Sequence, residues 1–255
     1  MTRSITFLVT ALNEEAHIVP TVETIVAAAK RLGCAYEILL VNDGSTDSTP
    51  EIIDRLAAAD GWIRAIHNKR NLGLGGAYKH AIFFATKEHV MWVCGDNSET
   101  VDHIVNIASH VGEADIVLPV LKAGRQRPLL RRATSKAFTT LVNLLFGLRV
   151  GYYNGTVIHK TALITRVPIR TNSFAYQAEA LVKMLRSGCS YVEVPYSSRM
   201  YDGLFSNAMK PKNLAAVFTA IYRLFVDIHV RGFQLEFANP PGGHRSAAPG
   251  PGQEA

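Results

Sequence analysis

Cysteine is scarce in this chain. The three cysteines, Cys34, Cys94 and Cys189, lie far apart and none forms a CxxC pair. That excludes a disulfide scaffold and a thiolate metal cluster, and it suits a reducing compartment. No uninterrupted apolar run approaches 18 residues, so no bilayer span is expected. The start does not read as a signal peptide, because Ile5 to Val9 is only strand-length and Asn13, Glu14 and Glu15 close it. Neither GxxxxGK[ST] nor the six-residue G-x-G-x-x-G occurs, so a P-loop ATPase and a dinucleotide dehydrogenase find no support. There is no internal repeat. A nucleic-acid partner is not expected either, since no basic surface is interleaved with aromatics.

What is present suits one α/β domain. The 255 residues are 48% hydrophobic and 19% charged, enough for a sizeable core and too apolar for wholesale disorder. Lys and Arg number 27 against 21 Asp and Glu, a net charge of +6. Such a surface favours anionic partners: phosphorylated small molecules, acidic lipid headgroups or nucleic acid.

Strand and helix patterns alternate through the first half. Ile5 to Val9, Tyr36 to Val41, Trp62 to His67, Val90 to Cys94 and Asp115 to Leu118 read as strands. Between them, Ile18, Val22, Ile25, Val26 and Ala29 share a helix face that Gly33 ends, and Thr49-Pro50-Glu51 opens another helix. A third helix runs through His80 and Ala85. This alternation predicts a mostly parallel sheet covered on both faces, with ligands at the carboxyl ends of its strands. Later, Ala137 to Phe146, Ala175 to Leu185 and Leu214 to Val230 read as helices and Ser190 to Pro195 as a strand. Eight of the last 18 residues are Gly or Pro, so 238–255 is expected to be a disordered tail.

Four constellations fall at strand ends. Thr10-Ala11-Leu12-Asn13-Glu14-Glu15 alone reads as a polar helix opening. Val41-Asn42-Asp43-Gly44-Ser45-Thr46-Asp47-Ser48-Thr49 is either turn punctuation or a site. In the second case Asp43 accepts hydrogen bonds from a nucleobase or ribose while turn N–H groups face phosphate. His67 to Ala77 holds glycines that open a helix, which lets a phosphate approach backbone N–H groups. Trp92-Val93-Cys94-Gly95-Asp96-Asn97 ends an apolar strand in an acid. Mg²⁺ or Mn²⁺ takes one or two carboxylates and completes its shell with phosphate oxygens and water. The plain alternative is an Asp in a tight turn.

In this order the four resemble the family 2 glycosyltransferases of GT-A fold, in particular the dolichol- or polyprenyl-phosphate sugar transferase branch. That family shows V-P-x-L-N-E, V-D-D-G-S-T-D-x-T, N-x-G-x-x-x-A and a D-x-D-type acid pair. The likeness continues through Asn154-Gly155, Phe174 to Glu179, and Val192-Glu193-Val194-Pro195 with Arg199 and Gly203, and so covers roughly Ile5 to His229. The chain departs from the pattern at Thr10 (usually Pro), Asn42 (usually Asp), Cys94 (usually the first acid of D-x-D) and Gly151 (often Asp).

The resemblance implies a GT-A, Rossmann-like α/β fold: a three-layer α/β/α sandwich with a mostly parallel central sheet. Residues 1–237 form the catalytic domain, with a nucleotide-sugar half, 1–120, and an acceptor half, 121–237. Donor binding is implied at Leu12, Asn13, Glu14, Asp43, Gly44, Asn71, Gly73, Gly76, Ala77, Gly95 and Asp96, with Asp96 as the Mg²⁺ or Mn²⁺ ligand. Catalytic roles fall to Asp96, Arg131, Ser135 and Glu179. Acceptor binding falls to Arg125, Arg127, Arg131, Arg132, Ser135, Arg199 and Lys210. The acid-free run from Lys122 to Lys136 is a solvated loop or, on its R-x-x-x-S spacing of Arg131 and Ser135, a lipid-phosphate site.

The implied reaction inverts a sugar as it moves from a nucleoside diphosphate to a polyprenyl or dolichyl phosphate. A monophosphate acceptor, mostly dianionic at pH 7, needs positive charge more than a base. With a hydroxyl acceptor a base is required, and Glu179 and Asp102 are the carboxylates to test. A degenerate nucleotide-sugar binder without turnover also stays open. His67, His103 and His159 read as structural or surface residues. Leu214 to Val230 reads either as a core helix or as an interfacial one. The protein is expected to be cytoplasmic and peripheral at the inner face of a membrane, in an oligomeric state the sequence leaves open.

Overall fold

The computed structural model describes residues 3–121, 129–196 and 210–235. Its strands are β1 (Ser4–Ala11), β2 (Ala35–Asn42), β3 (Ile63–His67), β4 (His89–Cys94), β5 (Ile116–Leu121), β6 (Ile158–Lys160) and β7 (Tyr191–Tyr196). They form one seven-stranded sheet in the order β3-β2-β1-β4-β6-β5-β7. The short β6 is antiparallel to β4 and β5, and the other pairings are parallel. β6 was not legible in the sequence, because three residues carry no period of their own.

The sheet is covered on both faces, as the strand–helix alternation predicts. Along β1, Ile5, Phe7, Val9 and Ala11 pack into one core, with α1 (Ile18–Leu32), α2 (Thr49–Ala59) and α4 (Val101–Ala108). Leu8 points the other way. There it joins the core formed by α3 (Leu74–Ala81), α5 (Leu129–Phe146), α7 (Tyr176–Arg186) and α8 (Pro211–Phe225). The alternation follows from the two-residue period of a strand. Gly33, at φ 60°, ends α1 in the left-handed conformation that a residue without Cβ adopts at no cost. A short helix α6 (Thr161–Ile164) follows β6, and a 3₁₀ turn, Ile82–Phe84, follows α3.

One sheet spans both expected halves, and the boundary at 120/121 falls at the end of β5. The chain moves from β1 outward to β2 and β3, then returns to β4 on the other side of β1. That reversal creates a crevice between the carboxyl ends of β1 and β4, the usual ligand position in an open α/β sheet.

A π-helical turn, Val226–Val230, extends α8. Together Pro211–Val230 make the one helix among the described residues that is long and apolar enough to cross a bilayer. The absence of an 18-residue unbroken apolar run had not suggested such a helix.

Candidate active site

The loops after β1 and β2 are laced together. Asn13 adopts φ 58°, a conformation asparagine tolerates better than most residues. Its Oδ1 accepts from Thr46 N (2.8 Å) and its N–H donates to Ser45 Oγ (3.0 Å). Glu14 N donates to Thr49 Oγ1 (2.8 Å), and Glu15 Oε2 accepts from Ser48 N (3.0 Å). Ser45, Thr46 and Thr49 of the second motif therefore shape the first. Leu12 lies exposed at the start of this loop.

Asp43 is buried at the carboxyl end of β2. Its Oδ1 accepts from Asn68 Nδ2 (2.8 Å) and Leu72 N (2.9 Å), and Asn68 Oδ1 in turn meets His80 Nδ1 (2.6 Å). Asp43 thus ties its own loop to the glycine-rich one. Gly44 makes that approach possible: at φ 74°, a Cβ there would stand 2.6 Å from Asn71 N.

The glycines after β3 have a packing role that the sequence did not reveal. A Cβ on Gly73 would lie 2.8 Å from Asn172 O, and one on Gly75 would lie 2.8 Å from both Thr171 O and Tyr176 Cβ. Gly75 N donates to Asn172 O (3.0 Å). The backbone of residues 171–172 occupies the place beside these glycines that a phosphate was expected to approach. Gly76 is packed on Leu72, Ala77 is buried, and Asn71 Oδ1 accepts from Gly73 N (2.7 Å).

Asp96 is half-buried beyond the end of β4, and its Oδ1 accepts from Ser98 N (3.1 Å). Gly95 before it fits closely against Thr10 O. Burial raises the Glu14 carboxyl pKa, and the charges of Asp96 and Asp47 add to the rise. A hydrogen bond to His17 (3.0 Å) opposes that rise. Burial above all, then Asp96, holds the Cys94 thiol pKa well above its ordinary value. A neutral thiol is a poor ligand for a hard cation, so Cys94 does not replace the missing acid. Among the described residues no three His, Cys, Asp or Glu form a metal-binding group. One carboxylate, Asp96, fits a hard divalent ion that takes its other ligands from a diphosphate and water, while Glu14 Oε2 meets His17 Nδ1 at 3.0 Å.

The departures from the family pattern have local partners. Thr10 Oγ1 accepts from Trp92 Nε1 (3.0 Å). Asn42 Oδ1 accepts from Ser45 N (2.9 Å) while its Nδ2 meets His67 Nδ1 (3.2 Å). His67 Nε2 faces Asp54 (3.0 Å), so the ring proton belongs on Nε2 and Nδ1 accepts from Asn42. A Cβ at Gly151 would stand 2.9 Å from Val120 Cγ1, and Gly151 N donates to Glu193 Oε1 (2.6 Å).

Glu179 lies buried in the first turn of α7. It accepts from Arg170 N (3.0 Å), Thr171 N (3.0 Å) and Lys183 Nζ (2.6 Å). Asp102 is highly exposed and pairs with Arg31 (2.5 Å) on α1. Both carboxylates are engaged by these local partners. His103 is buried against Glu99, and burial lowers the His159 pKa to about 3, which fits structural roles for both.

On the acceptor side, Arg132 and Lys136 are exposed on α5, Ser135 is half-buried there, and Lys210 is exposed before α8. Arg131 belongs to α5, with only its backbone described. Arg125, Arg127, Arg199 and the tail 238–255 lie outside the described residues.

Residues 6–171 match the Glycosyl transferase family 2 family, and the chain belongs to that family. It is 31% identical over 171 residues to "Glycosyltransferase AglD" of Haloferax volcanii, covering 63% of this chain and 27% of that protein. It is 25% identical over 188 residues to the undecaprenyl-phosphate 4-deoxy-4-formamido-L-arabinose transferase of Salmonella paratyphi A, covering 69% of this chain and 58% of that protein. The chain thus spans about a quarter and just over half of these relatives' lengths.

The fold is shared with GT-A glycosyltransferases of known structure. One is the glucosyl-3-phosphoglycerate synthase of Mycobacterium tuberculosis, solved with Mn²⁺, UDP-glucose and phosphoglyceric acid. The TM-score is 0.61 at 16% identity, covering 86% of this chain and 80% of that one.

Proposed function

We propose that this protein transfers a sugar, with inversion, from a UDP- or GDP-linked donor to a polyprenyl or dolichyl phosphate at the cytoplasmic face of a membrane. The observation that carries the reading is the placement of Asp43, Glu14 and Asp96 beyond the carboxyl ends of the adjacent strands β2, β1 and β4. Asp43 and the laced loops around it hold the nucleoside. Asp96 would hold Mg²⁺ or Mn²⁺, which when bound offsets charge on the diphosphate leaving group. The Mn²⁺ complex of the structural neighbour supports a metal here.

The name of the Salmonella relative supports a lipid-phosphate acceptor. So does the engagement of both candidate bases. Glu179 receives two backbone N–H groups and a lysine, and Asp102 pairs with Arg31. A phosphate dianion attacks without surrendering a proton, so it does not call on Glu179 or Asp102. Arg132, Lys136 and Lys210 offer positive charge to orient that anion.

The test is a donor screen. The protein is incubated with Mn²⁺ or Mg²⁺, polyprenyl phosphate and each UDP- or GDP-sugar in turn. Nucleoside diphosphate release and lipid-linked sugar are followed by mass spectrometry. Lipid-linked product that disappears in Asp96→Ala supports the reading. Nucleotide binding without lipid product moves the assignment to a hydroxyl acceptor or a binder without turnover.

A further inference from the structure

We propose that the outer stripe of α8, together with the outer face of α5, docks on an anionic membrane surface. This rests on the lipid acceptor proposed above and identifies the face that meets the lipid. α8 is apolar on two sides. Ala220, Ile221, Leu224 and Ile228 of the helix and its π-helical extension are buried against the domain. Leu214, Phe218, Tyr222 and Phe225, spaced at three and four residues, form a second stripe that faces outward. Phe218 and Tyr222 are 62% and 69% exposed. A helix that has already satisfied its core face has no folding reason to carry aromatics on the other.

The neighbouring helix repeats the pattern. α5 exposes Leu141 and Leu144, the latter 77% exposed. The two helices meet toward their carboxyl ends, where His229 Nε2 donates to Leu145 O (2.8 Å) and the His229 ring stacks on Phe146. Both follow strands, β5 and β7, whose carboxyl ends point to the same side of the sheet as the crevice.

Charge selects the occupant. Neither α5 nor α8 contains a single Asp or Glu. Their exposed charges are Arg132, Lys136, Lys212 and Arg223, with Lys210 at the start of α8. An apolar, aromatic-bearing face with basic residues and no acids complements an anionic lipid surface.

The helix lies on that surface and does not cross it. Asp227, in the π-helical extension, is buried and paired with Arg170 (2.9 Å) and Arg231 (2.8 Å). Pulling Pro211–Val230 into a bilayer would strip Asp227 from Arg170 and carry an acid into hydrocarbon.

Flotation of the full chain with vesicles tests the assignment. Binding is expected to phosphatidylcholine vesicles containing phosphatidylglycerol, weaker with phosphatidylcholine alone, and weaker as salt rises. Phe218→Ser with Tyr222→Ser should lower affinity roughly tenfold or more. Lys212→Gln with Arg223→Gln should lower it roughly 30-fold, from about 1 kcal/mol for each charge near the surface. These side chains are exposed, so thermal unfolding should be unchanged. In Tyr222→Trp, quenching by brominated lipids should place the indole at the interface.

No vesicle binding by the unaltered chain, or equal binding by the variants, overturns the proposal. Quenching at bilayer-centre depth does the same. A solution dimer dissociated by Phe218→Ser with Tyr222→Ser would assign the face to a second copy. Failure here is separable from failure of the proposed reaction. Turnover on a short, water-soluble polyprenyl phosphate without vesicle binding sinks only the docking face. Vesicle binding without turnover sinks only the reaction.

Discussion

Lys183 Nζ donates to Glu179 Oε1 at 2.6 Å, one helical turn along α7, and the lysine side chain is wholly enclosed. Lys183 also donates to Pro168 O (2.7 Å), and Glu179 gathers the N–H groups of Arg170 and Thr171. The pair fixes residues 168–171 leading into the backbone that lies on Gly73 and Gly75. It joins the second half of the sequence to the glycine-rich loop after β3.

Removing one partner should expose the cost of the other. Glu179→Ala leaves a buried ammonium and is expected to destabilise the fold by about 3–5 kcal/mol. Urea unfolding measures it. Glu179→Gln should fold better, and the pH dependence of its residual turnover should match that of the unaltered enzyme. A lost basic or acidic limb in that profile would instead make Glu179 a proton-transfer group.

Asp96→Ala should lower turnover roughly 100- to 1,000-fold, the usual loss when one group opposing transition-state charge is removed. Mn²⁺-dependent nucleotide binding, measured by calorimetry, should fall with it. Binding that survives intact would place the metal elsewhere.

Cys94→Asp restores the first acid of the family pair. With a second carboxylate available, Mn²⁺ affinity is expected to rise roughly tenfold. Without metal, the new carboxylate stands near Asp96 and Glu14, and stability should fall by about 2 kcal/mol. Thermal melts with and without Mn²⁺ separate the two effects. Unchanged affinity would show that the position does not face the metal.

Burial lowers the His159 pKa to about 3 and also lowers that of His89. An imidazole whose folded pKa lies below its unfolded value stabilises the protein fully above about pH 6.5. That contribution is lost as pH falls from there toward the folded value. His159 should steepen the acid limb of stability by about 1.4 kcal/mol per pH unit, and His89 acts in the same direction. Urea titrations between pH 7 and pH 4 measure the slope, and His159→Phe should reduce it by one histidine's share.

Much of the fold was legible because it is written in short range. The apolar runs at Ile5, Tyr36 and Val90 mark strands that the structure extends by a residue or more. Gly33 and Pro50 mark helix ends by chemistry that needs no tertiary partner. The acids Asp43 and Asp96 could be placed at strand ends for the same reason. The use of the glycines was not legible. Gly73 and Gly75 look alike whether a phosphate or another stretch of chain approaches them, and the partner, Asn172, lies nearly a hundred residues away. The departures at Thr10, Asn42 and Gly151 likewise read as losses until Trp92, His67 and Glu193 appear beside them.

By itself the sequence determined the family and the type of most elements, though not α4 or β6, since period, turn residues and motif order are local properties of the chain. The tertiary structure alone decided three things. It inserted β6 antiparallel between β4 and β5, engaged Glu179 with Lys183 and the backbone of residues 170–171, and turned one apolar stripe of α8 inward and the other outward. Each depends on which surfaces meet across the sheet. A side chain's partner is set by the packing of distant segments, and the periodicity of its own element does not encode it.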